Sequence, residues 1–209
     1  MNREIFEENF IKLLKQNFNE NSKYFNTNYQ IFFELNTLVF EINKCLILEF
    51  DRAAITLTNY FLERLLKLAL IYNEIGIGSI EIDKWDEILS PTISKFDKLN
   101  LGKSIELCKK NNLINSSEKD YLWNIIRDLI RNGFSHAESN KILSEVPNEK
   151  TVYKGSLYDN SDIEKVTINQ KLIPEIQALL IEDFAKAIAK NYFDFVYKLS
   201  YNIEKKLNK

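Results

Sequence analysis

Five glycines and three prolines punctuate 209 residues, and this scarcity constrains the fold more than any motif does. A many-stranded β architecture needs turn residues every ~8–12 positions, and this chain does not supply them. Long helices are the natural alternative. The hydrophobic share of 45% and charged share of 28% are those of a globular chain and not of a disordered one. The length suffices for one sizeable core or at most two small ones.

Apolar periodicity places the helices. Ile5, Phe6, Phe10, Ile11, Leu13 and Leu14 recur at helical spacing between Glu4 and about Phe18, and the Asn/Ser-rich break NENSKYFNTN follows. A second helix is expected from Tyr29 to near Phe50, although a short run such as CLILEF also suits a strand. AAITLTNYFLERLLKLALIY (53–72) is apolar almost all round, as a central buried helix is. Its polar residues Thr56, Asn59, Glu63 and Lys67 form one narrow stripe, either a solvated edge or the wall of a polar cleft. IGIGS (75–79) stops this helix; its G-x-G lacks the third glycine and preceding strand of a dinucleotide fingerprint. Ser90-Pro91 marks a loop, and LNLGKSIELCKKNNLIN (99–115) gives a shorter helix.

Toward the C-terminus, 146–162 breaks the pattern, and TVYKGSLY reads as a small hairpin about a Lys-Gly pair. Pro174 suits the first turn of a final helix reaching Lys206, ~50 Å long. Along it Phe184, Ile188, Tyr192, Phe195, Leu199 and Ile203 make a stripe suited to core or dimer packing. Lys205, Lys206 and Lys209 place favourable charge at its C-terminal end. With no repeat and no linker, the expectation is a single all-α domain over 1–209. It would be an up-down bundle of about five or six helices with a hairpin-like insertion near 150–160.

Composition excludes several function classes. A net charge of −2 lacks the broad basic footprint of bulk nucleic-acid binding, so any RNA contact must be local. Cys45 and Cys108 lie far apart in apolar helical patterns and read as small buried hydrophobes in a reducing compartment. With one histidine and no Cys/His cluster, no metal site and no cofactor is expected. G-x-S-x-G, P-loop and H-E-x-x-H motifs are absent. MNREIFEENF is acidic and amphipathic, unlike a signal peptide, and no run has the ~18–20 apolar residues of a membrane span. A cytoplasmic location without membrane contact is expected.

The stretch SSEKDYLWNIIRDLIRNGFSH (116–136) carries the candidate chemistry. Ser117-x-x-Asp120 matches a capping box with Asp in place of Glu. On an α-helix Leu122, Ile125, Ile126 and Leu129 make one apolar face, and Asn124, Asp128, Arg131, Asn132 and Ser135 cluster on another. The helix ends in RNGFSH, with the chain's only histidine. Imidazole moves protons near neutral pH, and a guanidinium supplies cationic donors in fork geometry. Positions i and i+5 lie about 140° apart on an unbroken helix. Convergence therefore needs a kink or end at Gly133, or a two-fold axis joining two protomers. The plainer reading is an Arg131–Asp128 pair at i−3 and a His136 that meets only the helix dipole.

LGKSIELCKKNNLI, then a capped helix, then IRDLIRNGFSHAE resembles the HEPN superfamily of helical domains, whose members carry an R-x(4–6)-H motif. Here the motif runs from Arg131 to His136 with Asn132 directly after the arginine, and NYFLERLLKLAL (59–70) resembles the family's first core helix. The resemblance covers about 52–73 and 99–138. It implies a HEPN-like core at about 52–138, packed with N-terminal helices over 3–50 and the long helix 174–206. It further implies a metal-independent endoribonuclease acting at a homodimer cleft through Arg131, His136 and Asn132. Such a protein would be a toxin or phage-defence effector that cleaves cellular RNA, with a cognate antitoxin or partner protein as a further expectation. Two alternatives stand beside it. One is a non-catalytic HEPN-like dimer binding RNA, a nucleotide or a protein; the other is a helical adaptor with a coincidental motif.

Overall fold

The computed structural model describes residues 2–78, 80–135, 139–144, 146–155 and 163–209. It is mostly helical with one small antiparallel hairpin. Helices α1 (Arg3–Asn21), α2 (Asn36–Ile47), α3 (Asp51–Ile75), α4 (Trp85–Asp97) and α5 (Leu101–Lys110) precede the motif region. There α6 (Ser116–Tyr121), a π-helical stretch (Leu122–Arg131) and α7 (Asn132–Ser135) run consecutively. A short α8 (Ser139–Ile142), strands β1 (Glu149–Lys154) and β2 (Glu164–Asn169), and α9 (Pro174–Leu207) complete the chain.

Helix α3 is the centre, because its sequence is apolar on nearly every side. Phe61, Leu62, Leu65 and Leu66 are fully buried, each worth roughly 1.5–3 kcal/mol of transfer free energy. Helices α2, α4, α5 and α9 pack around it. Gly76 ends α3 in the left-handed region at φ 81°, where a Cβ is strained. Proline starts α9 as expected. The face it buries runs through Ala185, Ala189, Tyr192, Phe193, Val196, Leu199 and Ile203. Phe184, Ile188 and Phe195 are only half-buried flanks of that face.

Several boundaries differ from the sequence expectation. The second helix starts at Asn36 and not at Tyr29, because the backbone N–H groups of Gln30 and Ile31 donate to the Glu204 carboxylate of α9. CLILEF is helical to Ile47. Pro91 lies inside α4 and marks no loop; the carbonyl it leaves without a donor is that of Glu87, an exposed residue open to water. The hairpin is wider than a turn at Lys154-Gly155: Lys154 pairs with Glu164, and Glu149 with Asn169. Residues 156–162, which include the last three of the anticipated TVYKGSLY hairpin, lie outside the described residues.

Asp194 of α9 fastens the end of the N-terminal region by accepting from Lys23, Tyr24 and Lys190. Burial opposes its charge, but these three donors prevail and hold its carboxyl at about 2. Cys108 is fully buried, and burial pushes its thiol up to about 12. Cys45 is half-buried, and burial together with Glu41 raises it. Neither is a nucleophile at neutral pH.

One core residue works against stability. Asn43 on α2 is fully buried, and neither its side-chain oxygen nor its nitrogen has a hydrogen-bond partner among the described residues. Burying an amide without partners costs on the order of 1–3 kcal/mol. Asn43→Leu, which keeps the same branched shape with four side-chain heavy atoms, is therefore expected to stabilise the fold by about 1–2 kcal/mol. Urea denaturation checks this, and a lower midpoint in the variant would show that the amide is engaged.

Candidate functional site

The helix that delivers the motif starts two residues earlier than the Ser117–Asp120 spacing suggests. Asn115 is its cap: its Oδ1 accepts from the Glu118 N–H, while the Asn115 N–H donates to the Glu118 carboxylate. This is a complete capping box two residues upstream, with the preferred acid at its last position.

From Leu122 onward the winding is π. Each residue then turns through less than the ~100° of an α-helix, and every fourth side chain returns to nearly one direction. Leu122, Ile126 and Ile130 are accordingly the buried row, at 0%, 0% and 3% exposure. Ile125, expected in the core on α-helical geometry, is 38% exposed. Trp123, Arg127 and Arg131 form the adjoining row. The Arg127 guanidinium lies 3.6 Å from the Trp123 ring centroid, and its Nε donates to Asp128 at 2.8 Å.

Arg131 does not take Asp128 as its partner. Its Nε donates to Glu63 Oε1 on α3 at 3.1 Å, and its Nη1 donates to Asn132 Oδ1 at 3.4 Å. Arginine and glutamate side chains are similarly half-buried, at 27% and 29% exposure. Arg131 and Asn132, neighbours in sequence, are thus in contact, whereas the motif reading turns on the convergence of Arg131 with His136. His136 lies outside the described residues.

Gly133 serves a purpose other than the helix kink or end expected of it. It is buried within α7 without a left-handed φ, and a Cβ there would stand 2.5 Å from Ile142 Cγ1 and 2.9 Å from its Cδ1. Glycine is required because α8 presses its β-branched Ile142 against this backbone, and that side chain has little rotamer freedom to retreat. Gly133→Ala is expected to cost about 1–3 kcal/mol by overpacking. Ile142→Ala in the same chain would relieve the clash, so the double variant should lose less than the two single losses added together. Strict additivity in denaturation midpoints would contradict this contact.

Sequence reasoning named Glu63 only as one member of a polar stripe, and the structure gives the stripe its meaning. Asn59 is buried and accepts from the Tyr192 hydroxyl at 2.8 Å. Burial, with the negative charge of Glu63 adding to it, pushes the Tyr192 phenol well above its ordinary value. That hydroxyl therefore stays protonated and donating. Lys67 donates to the Asp97 carbonyl at 2.7 Å, and Thr56 alone of the four is an exposed residue bonding its own helix. Asn59 and Glu63 form the wall against which α7 and α9 are set. A long-range carboxylate on a stripe that mixes Asn, Glu and Lys was the only available signal for Glu63.

A separate cleft of about 440 Å³ opens where α2 meets α3, lined by Glu49, Asp51, Arg52, Glu182 and Lys186, and holds no motif residue. No group of three or more potential metal ligands occurs among the described residues. No described helix is long and apolar enough to cross a membrane. No family model, curated protein or solved structure matches the chain.

Proposed function

We propose that the chain is a metal-independent endoribonuclease of HEPN type, in which Arg131, Asn132 and His136 act on an RNA phosphodiester at a homodimer cleft. The observation that carries this reading is the placement of Arg131 at the end of a ten-residue π-helical stretch, a winding rare elsewhere and frequent at functional sites. The Glu63 contact fixes the guanidinium plane, and Asn132 sits beside it. In the reaction His136 takes the proton of the RNA 2′-hydroxyl as that oxygen attacks the adjacent phosphorus. Arg131 donates to the non-bridging oxygens as charge builds on them. The 5′-oxygen leaves with the proton that His136 has taken up, restoring the neutral imidazole, and a 2′,3′-cyclic phosphate remains. Cellular RNA is the substrate class, which makes the chain a toxin or phage-defence effector acting in the cytoplasm, held in check by an antitoxin or partner protein.

A second reading rests on the same ion pair. A guanidinium already facing a carboxylate at 3.1 Å offers less charge to a phosphate, which favours a non-catalytic HEPN-like dimer binding RNA, a nucleotide or a protein. Controlled expression in bacteria separates the two. Wild type should arrest growth and His136→Ala should not, at equal soluble level; equal harmlessness of both would sink the catalytic reading.

A further inference from the structure

One aromatic side chain stands open beside the Arg131–Glu63 pair. Tyr60 of α3 is 63% exposed, and its hydroxyl makes no hydrogen bond to a described residue. Residues three and four apart on an α-helix are surface neighbours, with about 5–6 Å between Cβ atoms. Tyr60 therefore has Glu63, the carboxylate that holds the Arg131 guanidinium, one turn ahead on the same face. Arg64, on its other flank, donates through Nε to Glu34 at 2.8 Å and through Nη1 to Asp97 at 3.4 Å. Thr56, one turn back, is exposed and bonds its own helix. Two ion-paired groups thus frame the ring and leave it open to water.

Placed here, the ring contributes little to the fold, since most of its surface stays in water. A protein partner is a poor occupant. Interface cores are depleted of charged residues, whereas this ring lies between Glu63–Arg131 and Arg64–Glu34–Asp97, with half-buried Lys67 one turn beyond Glu63. A nucleobase fits better. Every base has a π-face that stacks on an aromatic side chain without regard to sequence. Unpaired RNA is bound in this way, its bases splayed onto aromatic rings while polar groups meet its backbone.

We infer that Tyr60 is a stacking platform for an unpaired base of the RNA strand whose phosphate Arg131 meets, so that the substrate is single-stranded at the cut. This role rests on the reading of Arg131 as a phosphate-binding residue of a ribonuclease. Arg64, Lys67 and Arg131 are matched in number by Glu34, Glu63 and Asp97. This surface therefore offers no net charge for bulk attraction of a polyanion. The hold on the base comes from stacking, and the share that Tyr60 supplies should not vary with salt.

Steady-state cleavage of a single-stranded oligoribonucleotide tests the platform. Binding is measured beside it by the fluorescence of 2-aminopurine in a 2′-O-methyl strand, which has no free 2′-hydroxyl to attack. Tyr60→Ala should raise KM about tenfold and leave kcat within about twofold, the pattern of lost uniform binding, with the same ratio at low and high salt. Tyr60→Phe and Tyr60→Trp keep a ring and should stay near wild type. Wild type should quench the 2-aminopurine and Tyr60→Ala should not. Cleavage with an unchanged KM in Tyr60→Ala overturns the platform and leaves the ribonuclease standing. Tyr60-dependent quenching without cleavage supports the platform and removes the catalysis. A chain that neither binds nor cleaves single strands overturns both. A Tyr60→Ala chain that loses its dimer in light scattering assigns the ring to a subunit contact and overturns the platform as well.

Discussion

Arg131→Ala is expected to slow RNA cleavage by roughly two to three orders of magnitude, the loss typical of removing one preorganised donor from developing oxyanion charge. The side chain contacts Glu63 and Asn132, so its removal also leaves a half-buried carboxylate without its cation. That second effect lowers stability and must be separated from catalysis. Glu63→Gln does so: it removes the carboxylate charge yet keeps an oxygen to accept from Arg131 Nε. If Glu63 only positions the guanidinium, this variant should retain most of the cleavage rate and unfold close to wild type. Arg127→Ala supplies the control, since it deletes a neighbouring guanidinium held by Trp123 and Asp128. Its rate should stay within a few-fold of wild type. Equal losses for Arg127→Ala and Arg131→Ala would mean that both act only by general charge.

Glu204→Ala should destabilise the fold by about 3–5 kcal/mol. The Glu204 side chain on α9 is 6% exposed and accepts from the backbone N–H groups of Gln30 and Ile31 at 2.7 and 2.6 Å. Each such charge-assisted bond is worth about 1.5–3 kcal/mol, and truncation leaves both donors orphaned in a region where Tyr29, Ile31 and Phe32 are buried. The same contact keeps this segment out of α2, so its loss loosens the whole passage between α1 and α2. Glu204→Gln keeps an acceptor oxygen without the charge and should lose about half as much. Denaturation midpoints measure both, and a Glu204→Ala variant within ~0.5 kcal/mol of wild type, the usual range for an unimportant surface change, would show that water replaces the carboxylate.

How much of this was legible in the chain depends on whether local periodicity decides the outcome. Helices α1, α3 and α9 could be read because 3.6-residue spacing persists over many turns, and Gly76 and Pro174 mark the end of one and the start of another. Helix α4 was hidden by Pro91, which breaks a buried helix but is tolerated where water reaches the freed carbonyl. Strand β2 was missed because Lys154-Gly155 resembles a tight turn, while pairing sets Lys154 against Glu164. The π winding displaced Ile125 from the core face that 100° spacing assigns it. At the site, Arg131 and Asn132 are neighbours in sequence and their proximity was readable. Glu63 lies 68 positions before Arg131, and a pairing across that separation is fixed by how the π-helical stretch packs on α3, which no local pattern encodes.

The central claim is that the Arg131–His136 motif cleaves RNA without a metal. The most direct measurement incubates the purified chain with end-labelled RNA in excess EDTA, beside Arg131→Ala and His136→Ala, and identifies the new termini. The account predicts fragments ending in 2′,3′-cyclic phosphate and 5′-hydroxyl from wild type alone, undiminished by the chelator. Intact RNA with wild type, or equal cleavage by the His136→Ala chain, would contradict it.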